Sequence, residues 1–527
     1  MSVVGFKLTY ATMFNPPEEM HTLFEQALAK VKANLGREQA MVINGKDYYS
    51  FEKFEDRNPA NTDEILGVFQ KGTALDADAA LSAARQAFSG WSHTPWQERV
   101  SLLRRAADIM DERTYEMAAV ISLEVGKNRN EALGDVAETA DLFRYACVRM
   151  EANNGYITEM GKDPLSGYQA TNFSVLRPYG VWVVISPFNF PCALTGGPAA
   201  AALVTGNTVV IKPASDTPWT SRLIAECLRD AGLPDGSFNF VTGPGGTLGQ
   251  ALIDSPEVNG ITFTGSFEVG MKIYRDFSQG RWPRPTILEM GGKNPAIVSR
   301  NADIDTAATG ILRSAFGLQG QKCSACSRIL VEAPVYDQLV GRLVELTQAL
   351  TIGDPTRRNV YMGPVVNRNS YRDYQNFSED LNQHGTILTG GKVLVDGEYS
   401  KGYFCAPTLV ADLPLDHPLW KQEMFVPIST IAQVKNLEEA MLVANEVEYG
   451  LTAGFYGNLD EAEWFYDRIE AGVTYVNRPQ GATTGAWPGF QPFGGWKGSG
   501  STGKNAGGLH YLPQYMHEQI RTLVKKD

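Results

Sequence analysis

Val181-Trp-Val-Val-Ile185-Ser-Pro-Phe-Asn-Phe-Pro191 is a short, wholly apolar run that ends in prolines and an asparagine. Three more runs follow at Thr208-Val-Val-Ile211, Phe238-Asn-Phe-Val241 and Ile261-Thr-Phe263, with helix-patterned stretches such as 221–230 and 267–279 between them. Apolar runs of this length bounded by turn residues read as buried strands. Strand alternating with helix implies an α/β fold, a mostly parallel sheet covered on both faces, which collects its ligands at the carboxyl ends of the strands. The passage also holds 34 uncharged residues between Arg177 and Lys212, more than the roughly 20 that span a bilayer. Pro178, Pro187, Pro191 and Pro198 break any helix of that length, so strand, loop, helix and strand in a buried core is the better reading.

Downstream a second alternating series begins near Ile287. It comprises Ala296-Ile-Val298, a helix over 303–315, Ile329-Leu-Val331, a helix over 334–350, another over 436–446 and a strand over 473–477. Two such series predict two α/β domains with a cleft between them. Upstream, residues 17–35 read as an amphipathic helix ahead of the main body, and 77–91, 95–112 and 129–152 as helices. In the second of these Val100, Leu103, Ala107 and Met110 share one face, while Arg104, Arg105, Asp108 and Asp111 share the other.

Composition fits a chain of this kind. In 527 residues, 43% are hydrophobic and 20% charged, and the formal charge is −12. That balance is globular rather than disordered, and its sign disfavours non-specific binding to nucleic acid or anionic membrane. Six cysteines are too few for a disulfide framework, so a cytoplasmic or other reducing intracellular compartment is expected. The first twenty residues carry no basic-then-apolar leader.

Several segments carry chemistry. Gly243-Pro-Gly245-Gly246-Thr-Leu-Gly249 follows a strand without matching G-x-G-x-x-G, so a tight strand-to-helix turn is the favoured reading. Phe263-Thr-Gly265-Ser266-Phe-Glu-Val-Gly270 is placed to hold a pyrophosphate at a helix N-terminus, or Ser266 is simply its N-cap. Cys323-Ser-Ala-Cys326 is either a redox dithiol, half of a zinc site, or a nucleophile with an inert neighbour. The other cysteines are isolated and the six histidines lack ligand spacing, so no metal is expected. Glu289 ends an apolar strand ahead of two glycines. It is either an ordinary solvated or salt-bridged glutamate or, in an apolar setting, a base with a raised pKa.

Taken together, Ser186–Pro191, Ile211-Lys-Pro213, Phe263–Gly270, Leu288–Asn294, Gly320–Cys323, Glu423-Met-Phe425 and Pro492-Phe-Gly-Gly495 resemble the aldehyde dehydrogenase superfamily, in family order over some 300 residues. The resemblance implies an aldehyde dehydrogenase-like fold: a Rossmann-type cofactor domain, an α/β catalytic domain and a small oligomerisation element. It implies Cys323 as nucleophile, Asn189 and the Cys323 backbone amide as oxyanion donors, and Glu289 as the base that activates water. The cofactor implied is NAD, held by Lys212 and the neighbouring Ser215 at the adenosine ribose, by Gly265, Ser266 and Gly270 near the pyrophosphate, and by Glu423 and Phe425 at the nicotinamide end.

Within the superfamily, Glu124-Val-Gly-Lys127 with Asp135-Val-Ala-Glu138, Gly320-Gln-Lys-Cys-Ser-Ala325, and Asn477-Arg478 followed by Thr484-Gly485-Ala486 resemble the branch that oxidises L-glutamate γ-semialdehyde in proline degradation. There the substrate carboxylate is anchored by residues matching Ser324, Gly485 and Ala486, with Phe190 and Phe493 flanking its aliphatic chain. Two departures stand out. Ser215 replaces a frequent glutamate, which leaves NADP admissible beside NAD, and Trp487-Pro488 is bulkier than the family pattern. The expected parts are a helical arm over 1–45, a cofactor domain over 46–157 and 179–290, and a catalytic domain over 291–478. An oligomerisation element and C-terminal segment over 158–178 and 479–527 would make a homo-oligomer. The expected partner is a small aldehyde, with neither nucleic acid nor membrane.

Overall fold

The protein is described from a computed structural model covering residues 16–162, 164, 166–483 and 485–526. The expected arm over 1–45 is therefore seen only from Pro16, and Thr484 of the carboxylate-anchor motif also lies outside the described residues.

The four apolar runs and Thr286–Glu289 form one parallel array. In chain order its strands are Val181–Ile185, Thr208–Lys212, Phe238–Phe240, Val258–Thr264 and Thr286–Glu289; in space they lie third, second, first, fourth, fifth. That is the doubly wound order, whose direction of winding reverses between the first and fourth strands. The crevice outside that reversal is bounded by Ile185-Ser186 on one side and Thr264-Gly265 on the other. The central strands Val181–Ile185 and Thr208–Lys212 are buried almost throughout, as their apolar sequences require. The sheet is extended by an antiparallel hairpin, Met41–Ile43 with Lys46–Tyr48. The chain thus enters the sheet at Met41, inside the stretch read from sequence as a helical arm. Ahead of it, helix Glu18–Lys32 packs Met20, Phe24 and Val31 into the core.

A second sheet, also of seven strands, stacks Asn294–Val298, Cys326–Glu332, Thr408–Ala411, Ile428–Val434, Thr452–Tyr456 and Val473–Val476 in parallel, with Thr386–Thr389 antiparallel at one edge. Residues 290–293 run straight from the end of Thr286–Glu289 to the start of Asn294–Val298. The carboxyl ends of the first sheet therefore meet the amino ends of the second, and this seam is where the candidate residues gather.

A third, antiparallel sheet joins Ile157–Glu159, Tyr168–Pro178 and Met516–Lys526. The hairpin expected near 158–178 and the C-terminal segment thus form one element. Residues 479–506, grouped with that element from sequence, lie at the seam instead. Ser499–Ser501 zips onto the strand bearing Glu289: Met290 N–H donates to Ser499 O at 2.9 Å, and Ser501 N–H donates to Leu288 O at 3.1 Å. Helix Thr114–Val125, which sequence periodicity misses, is buried on nearly every side. Among the described residues no helix is long and apolar enough to cross a membrane.

Candidate active site

Helix Ile304–Phe316 ends at the seam, and the chain must turn sharply to enter Cys326–Glu332. It does so through three successive left-handed residues, Leu318, Gln319 and Gly320, with φ of 49°, 56° and 68°. The two non-glycine residues each store strain of about 1 kcal/mol or more. The turn is held from outside: Gln319 Nε2 donates to Gly126 O at 3.1 Å, and Gln321 Oε1 accepts from Val366 N at 2.9 Å. A Cβ at Gly320 would meet Val426 O, so glycine is required there. Cys323 follows, pinned by Asn294, whose Nδ2 donates to Cys323 O at 2.7 Å and to Ala325 O at 2.9 Å.

Both cysteines of the C-x-x-C are free thiols with different surroundings. Cys326 is buried in a strand among Ile329, Val331 and Phe316, and burial pushes its thiol up to about 12. Cys323 is partly accessible. Burial, reinforced by the negative charges of Glu289 and Glu423, holds its thiol well above the ordinary value.

Asn189 sits on the loop after Val181–Ile185, 3% exposed, and its Nδ2 donates to Gln321 O at 2.9 Å. That bond ties the end of the first strand to the thiol loop and leaves the amide's second N–H available. The loop is fixed by a buried ion pair that sequence reading noted only as a signature. Lys127 Nζ lies 3.0 Å from Asp135 Oδ2 and 3.5 Å from the centre of the Phe190 ring. Asp135 Oδ1 meanwhile accepts from Ala193 N at 2.9 Å, at the start of helix Ala193–Val204. Removing one partner of a buried pair strands the other charge at a cost of about 3–5 kcal/mol. Asp135→Ala is therefore expected to lower stability by that amount in urea unfolding monitored by far-UV circular dichroism. A loss under 1 kcal/mol would exclude this role.

Glu289, the last residue of Thr286–Glu289, has an Oε1 that is buried and takes no hydrogen bond from the protein. Burial raises its carboxyl to about 8. Among the described residues Glu289 forms no salt bridge, so the salt-bridged reading does not describe it, and its buried Oε1 departs from the solvated one. Glu423 is held differently: Gly292 N–H donates to its Oε1 at 2.8 Å, and a Cβ at Gly291 would collide with its carboxylate. Its carboxyl stands near 7, raised by burial against the opposing pull of Gly292 N–H and Lys293. Phe425, at φ +55°, meets Phe188 edge-on with ring centres 5.8 Å apart.

At the crevice of the first sheet, Ser266 is the N-cap of helix Phe267–Ser278 and accepts from Val269 N at 3.4 Å. It is exposed, with the helix's free N–H groups beside it. Gly265 N–H donates to Glu289 O, and Gly270 packs against Met290 so closely that a Cβ would touch its sulfur. Lys212 Nζ donates to Pro213 O at 2.8 Å, and burial lowers its ammonium to about 8. Ser215 is exposed and donates to Gly243 O at 3.4 Å. Beyond it, Gly245–Gly249 forms a wide helical turn leading into a short helix, as a strand-to-helix turn should.

Two cavities adjoin the seam. The outer one, about 500 Å³, is lined by Lys127, Phe190, Lys322 and Gly485 among others. The inner one, about 70 Å³, is lined by Glu289, Ala486, Phe493 and Lys504 among others. The two aromatics expected to flank one aliphatic chain therefore stand in different cavities. Gly485 has φ +125° and lies against the Arg478 guanidinium, and its carbonyl accepts from the Tyr475 hydroxyl. Ser324 is 6% exposed, and Thr483 Oγ1 donates to its carbonyl at 2.7 Å.

One cluster of ligand-type side chains, Asp380, His384 and His417, assembles away from the seam among the described residues. His417 Nδ1 accepts from Leu419 N at 3.3 Å, so its remaining N–H faces Asp380 Oδ1, also at 3.3 Å. Hydrogen bonding accounts for this cluster. Its 33-residue separation is why sequence spacing missed it.

Residues 47–520 match the family model described as the aldehyde dehydrogenase family. The chain is 40% identical over 509 residues, 95% of each chain, to 1-pyrroline-5-carboxylate dehydrogenase of Geobacillus sp. strain WCH70. The crystal structure of 1-pyrroline-5-carboxylate dehydrogenase from Thermus with bound NAD superposes with a TM-score of 0.92 at 34% identity, covering all of both chains. Proline utilization A of Bdellovibrio bacteriovorus superposes with a TM-score of 0.90 at 35% identity; the alignment covers 96% of this chain and 52% of that longer protein.

Proposed function

The chain belongs to the aldehyde dehydrogenase family, and from that premise we propose that it oxidises L-glutamate γ-semialdehyde, the open form of 1-pyrroline-5-carboxylate, to L-glutamate with NAD, in proline degradation. The reaction is carried by the meeting at the seam of a thiol, an amide donor and an unpaired buried carboxyl: Cys323, Asn189 and Glu289. The substrate is suggested by the full-length relatives named for it.

The residues around the first sheet suit a dinucleotide. The crevice lies at the reversal of strand order, Ser266 opens a helix whose N–H groups favour a pyrophosphate, and Glu423 is fixed at the far side of the seam. Lys212 and Ser215 would meet the adenosine ribose. Ser215 itself presents no charge to a 2′-phosphate. NAD, when bound, supplies the hydride acceptor.

The chain's own groups do the rest. Cys323 gives up its thiol proton to water and adds as thiolate sulfur to the aldehyde carbon, and the oxygen that gains charge is met by the free N–H of Asn189 and the backbone N–H of Cys323. Loss of hydride from that carbon leaves a thioester on Cys323. Glu289 as carboxylate takes a proton from water, whose oxygen attacks the thioester; the C–S bond breaks and the product carboxylate leaves. Ser324, Gly485 and Ala486 would anchor the substrate's α-carboxylate at the neck between the cavities.

In this reading 46–157 and 179–290 form the cofactor half, and 291–478 the catalytic half. The small sheet of 158–178 and the C-terminal strand would join copies of the chain, presenting exposed Ile157, Met160, Tyr168, Ile520 and Leu523. A reducing compartment suits a reactive free thiol.

A substrate and cofactor panel tests the assignment, read as NADH or NADPH absorbance. Glutamate γ-semialdehyde is expected to show a kcat/KM at least tenfold above succinate semialdehyde and simple aliphatic aldehydes. A preference for an aldehyde without the amino-acid head would assign the site to another small aldehyde, with Trp487 the residue to blame.

A further inference from the structure

Helix Arg129–Ala152 presents Asp135, Glu138 and Asp141 one turn apart. Asp135 is committed to Lys127 and Ala193, and Asp141 Oδ2 accepts from the Trp487 indole N–H at 2.9 Å. Glu138, between them, lines both cavities. Among the described residues lining the outer cavity, only Glu138 and Trp487 also line the inner chamber. They form the neck between the chamber that holds Glu289 and the larger cavity. The bond to Asp141 fixes the Trp487 side, so Glu138 is the ionisable side of the passage.

The chemistry needs such a passage. Each hydrolysis leaves on Glu289 a proton that must depart before the next turnover, and Glu289 Oε1 has no protein partner to receive it. A chamber of about 70 Å³ admits several waters, since one needs about 10–15 Å³. We propose that Glu138 is the proton-relay group acting through Glu289, taking the proton across the inner chamber and releasing it into the outer cavity.

The relay breaks an O–H bond on Glu289 and forms one on chamber water, while that water's own proton passes to Glu138; no oxidant is involved. The two carboxyls are matched. Burial, helped by Asp135, Glu289 and Asp141 and opposed by Lys127, raises Glu138 to about 8, and burial raises Glu289 to about 8 as well. Transfer between groups of similar affinity runs in either direction without a large barrier from proton affinity. A bare structural role for Glu138 would require neither a neck position nor that match.

The proposal rests on the aldehyde-oxidation reading above, and its test separates the two. In Glu138→Gln, the first burst of NADH is expected to keep its amplitude and rate, while steady turnover falls at least tenfold. The fall should be equal for glutamate γ-semialdehyde and for propanal, which has no amino group. Added imidazole or formate should restore turnover, and Glu138→Asp, which keeps a carboxyl, should stay within a few-fold of wild type. Unchanged turnover overturns the relay. So does a KM raised for glutamate γ-semialdehyde alone at constant kcat, which makes Glu138 a binder of the substrate ammonium. A loss that buffers do not restore, in both variants and with a lowered melting temperature, also overturns it. Absence of NADH from the wild-type enzyme with either aldehyde overturns the reaction itself.

Discussion

Cys323→Ser oxidises no aldehyde, with NADH formation down at least about a thousandfold, whereas Cys326→Ala keeps most of the wild-type rate. The contrast follows from position. Cys323 lies on a strained loop beside the crevice, its carbonyl tied to Asn294 and its side chain partly accessible. Cys326, three residues on, is a strand residue in an apolar core. Serine keeps the size of the side chain, but its hydroxyl is a far weaker nucleophile than a thiolate and forms no thioester. The fold should survive both changes, as equal melting temperatures would confirm. Alkylation by iodoacetamide should label Cys323 and bypass Cys326. Equal loss of activity in the two variants would instead indicate a dithiol mechanism and remove Cys323 as sole nucleophile.

Glu289→Gln separates the two halves of the reaction. Hydride transfer does not require the carboxylate, so a first burst of NADH is expected at close to wild-type amplitude. Hydrolysis does require it, and steady turnover should fall by about 10²- to 10⁴-fold, the usual contribution of a general base. The sign of the pH dependence follows from burial. A base works deprotonated, and Glu289 stands near 8, so wild-type turnover should climb as pH rises through that value. In the Gln variant that limb should vanish. A folded-state pKa above the unfolded one means the folded protein binds more protons across the interval, so stability drains away as pH rises from about 4.3 toward 8. The Gln variant escapes that loss and is expected to melt higher than wild type at alkaline pH. An unchanged steady rate would remove Glu289 from the mechanism.

The parts legible in sequence share a physical reason. Glu289 and Asn189 each sit in a short segment where an apolar strand gives way to glycine, proline or asparagine, and Cys323 in a glycine-bearing turn ahead of an apolar strand, local signals that survive without knowledge of neighbours. Buried parallel strands such as Val181–Ile185 announce themselves by unbroken apolarity. Helix Thr114–Val125 is hidden for the opposite reason: it is buried nearly all round and shows no polar face to set a period. Met41–Ile43 is too short to be told from an apolar turn of the arm that precedes it. The neck, the zipper and the anchoring of Ala193 by Asp135 depend on partners far away in the chain. Nothing in Glu138 itself says that it stands across from Trp487, or in Asp135 that it holds Ala193. Phe190 and Phe493 show the same limit, since motif order names both without revealing that a neck divides them.

The segment Ser499–Ser501, bridged to Glu289 through Gly500, has a bearing on biosynthesis. Asn189 reaches Gln321 across 132 residues, and Ser501 reaches Leu288 across 213. Contacts so distant form late, after the loops between them have closed. A nascent chain that has already made both large sheets still lacks the segment that lies along the Glu289 strand, and it gains that segment only once residue 501 has left the ribosome. Aldehyde oxidation is therefore expected to appear only once that segment has docked, and during refolding activity should return after the far-UV signal of the sheets, which makes turnover a clock for the final step of assembly.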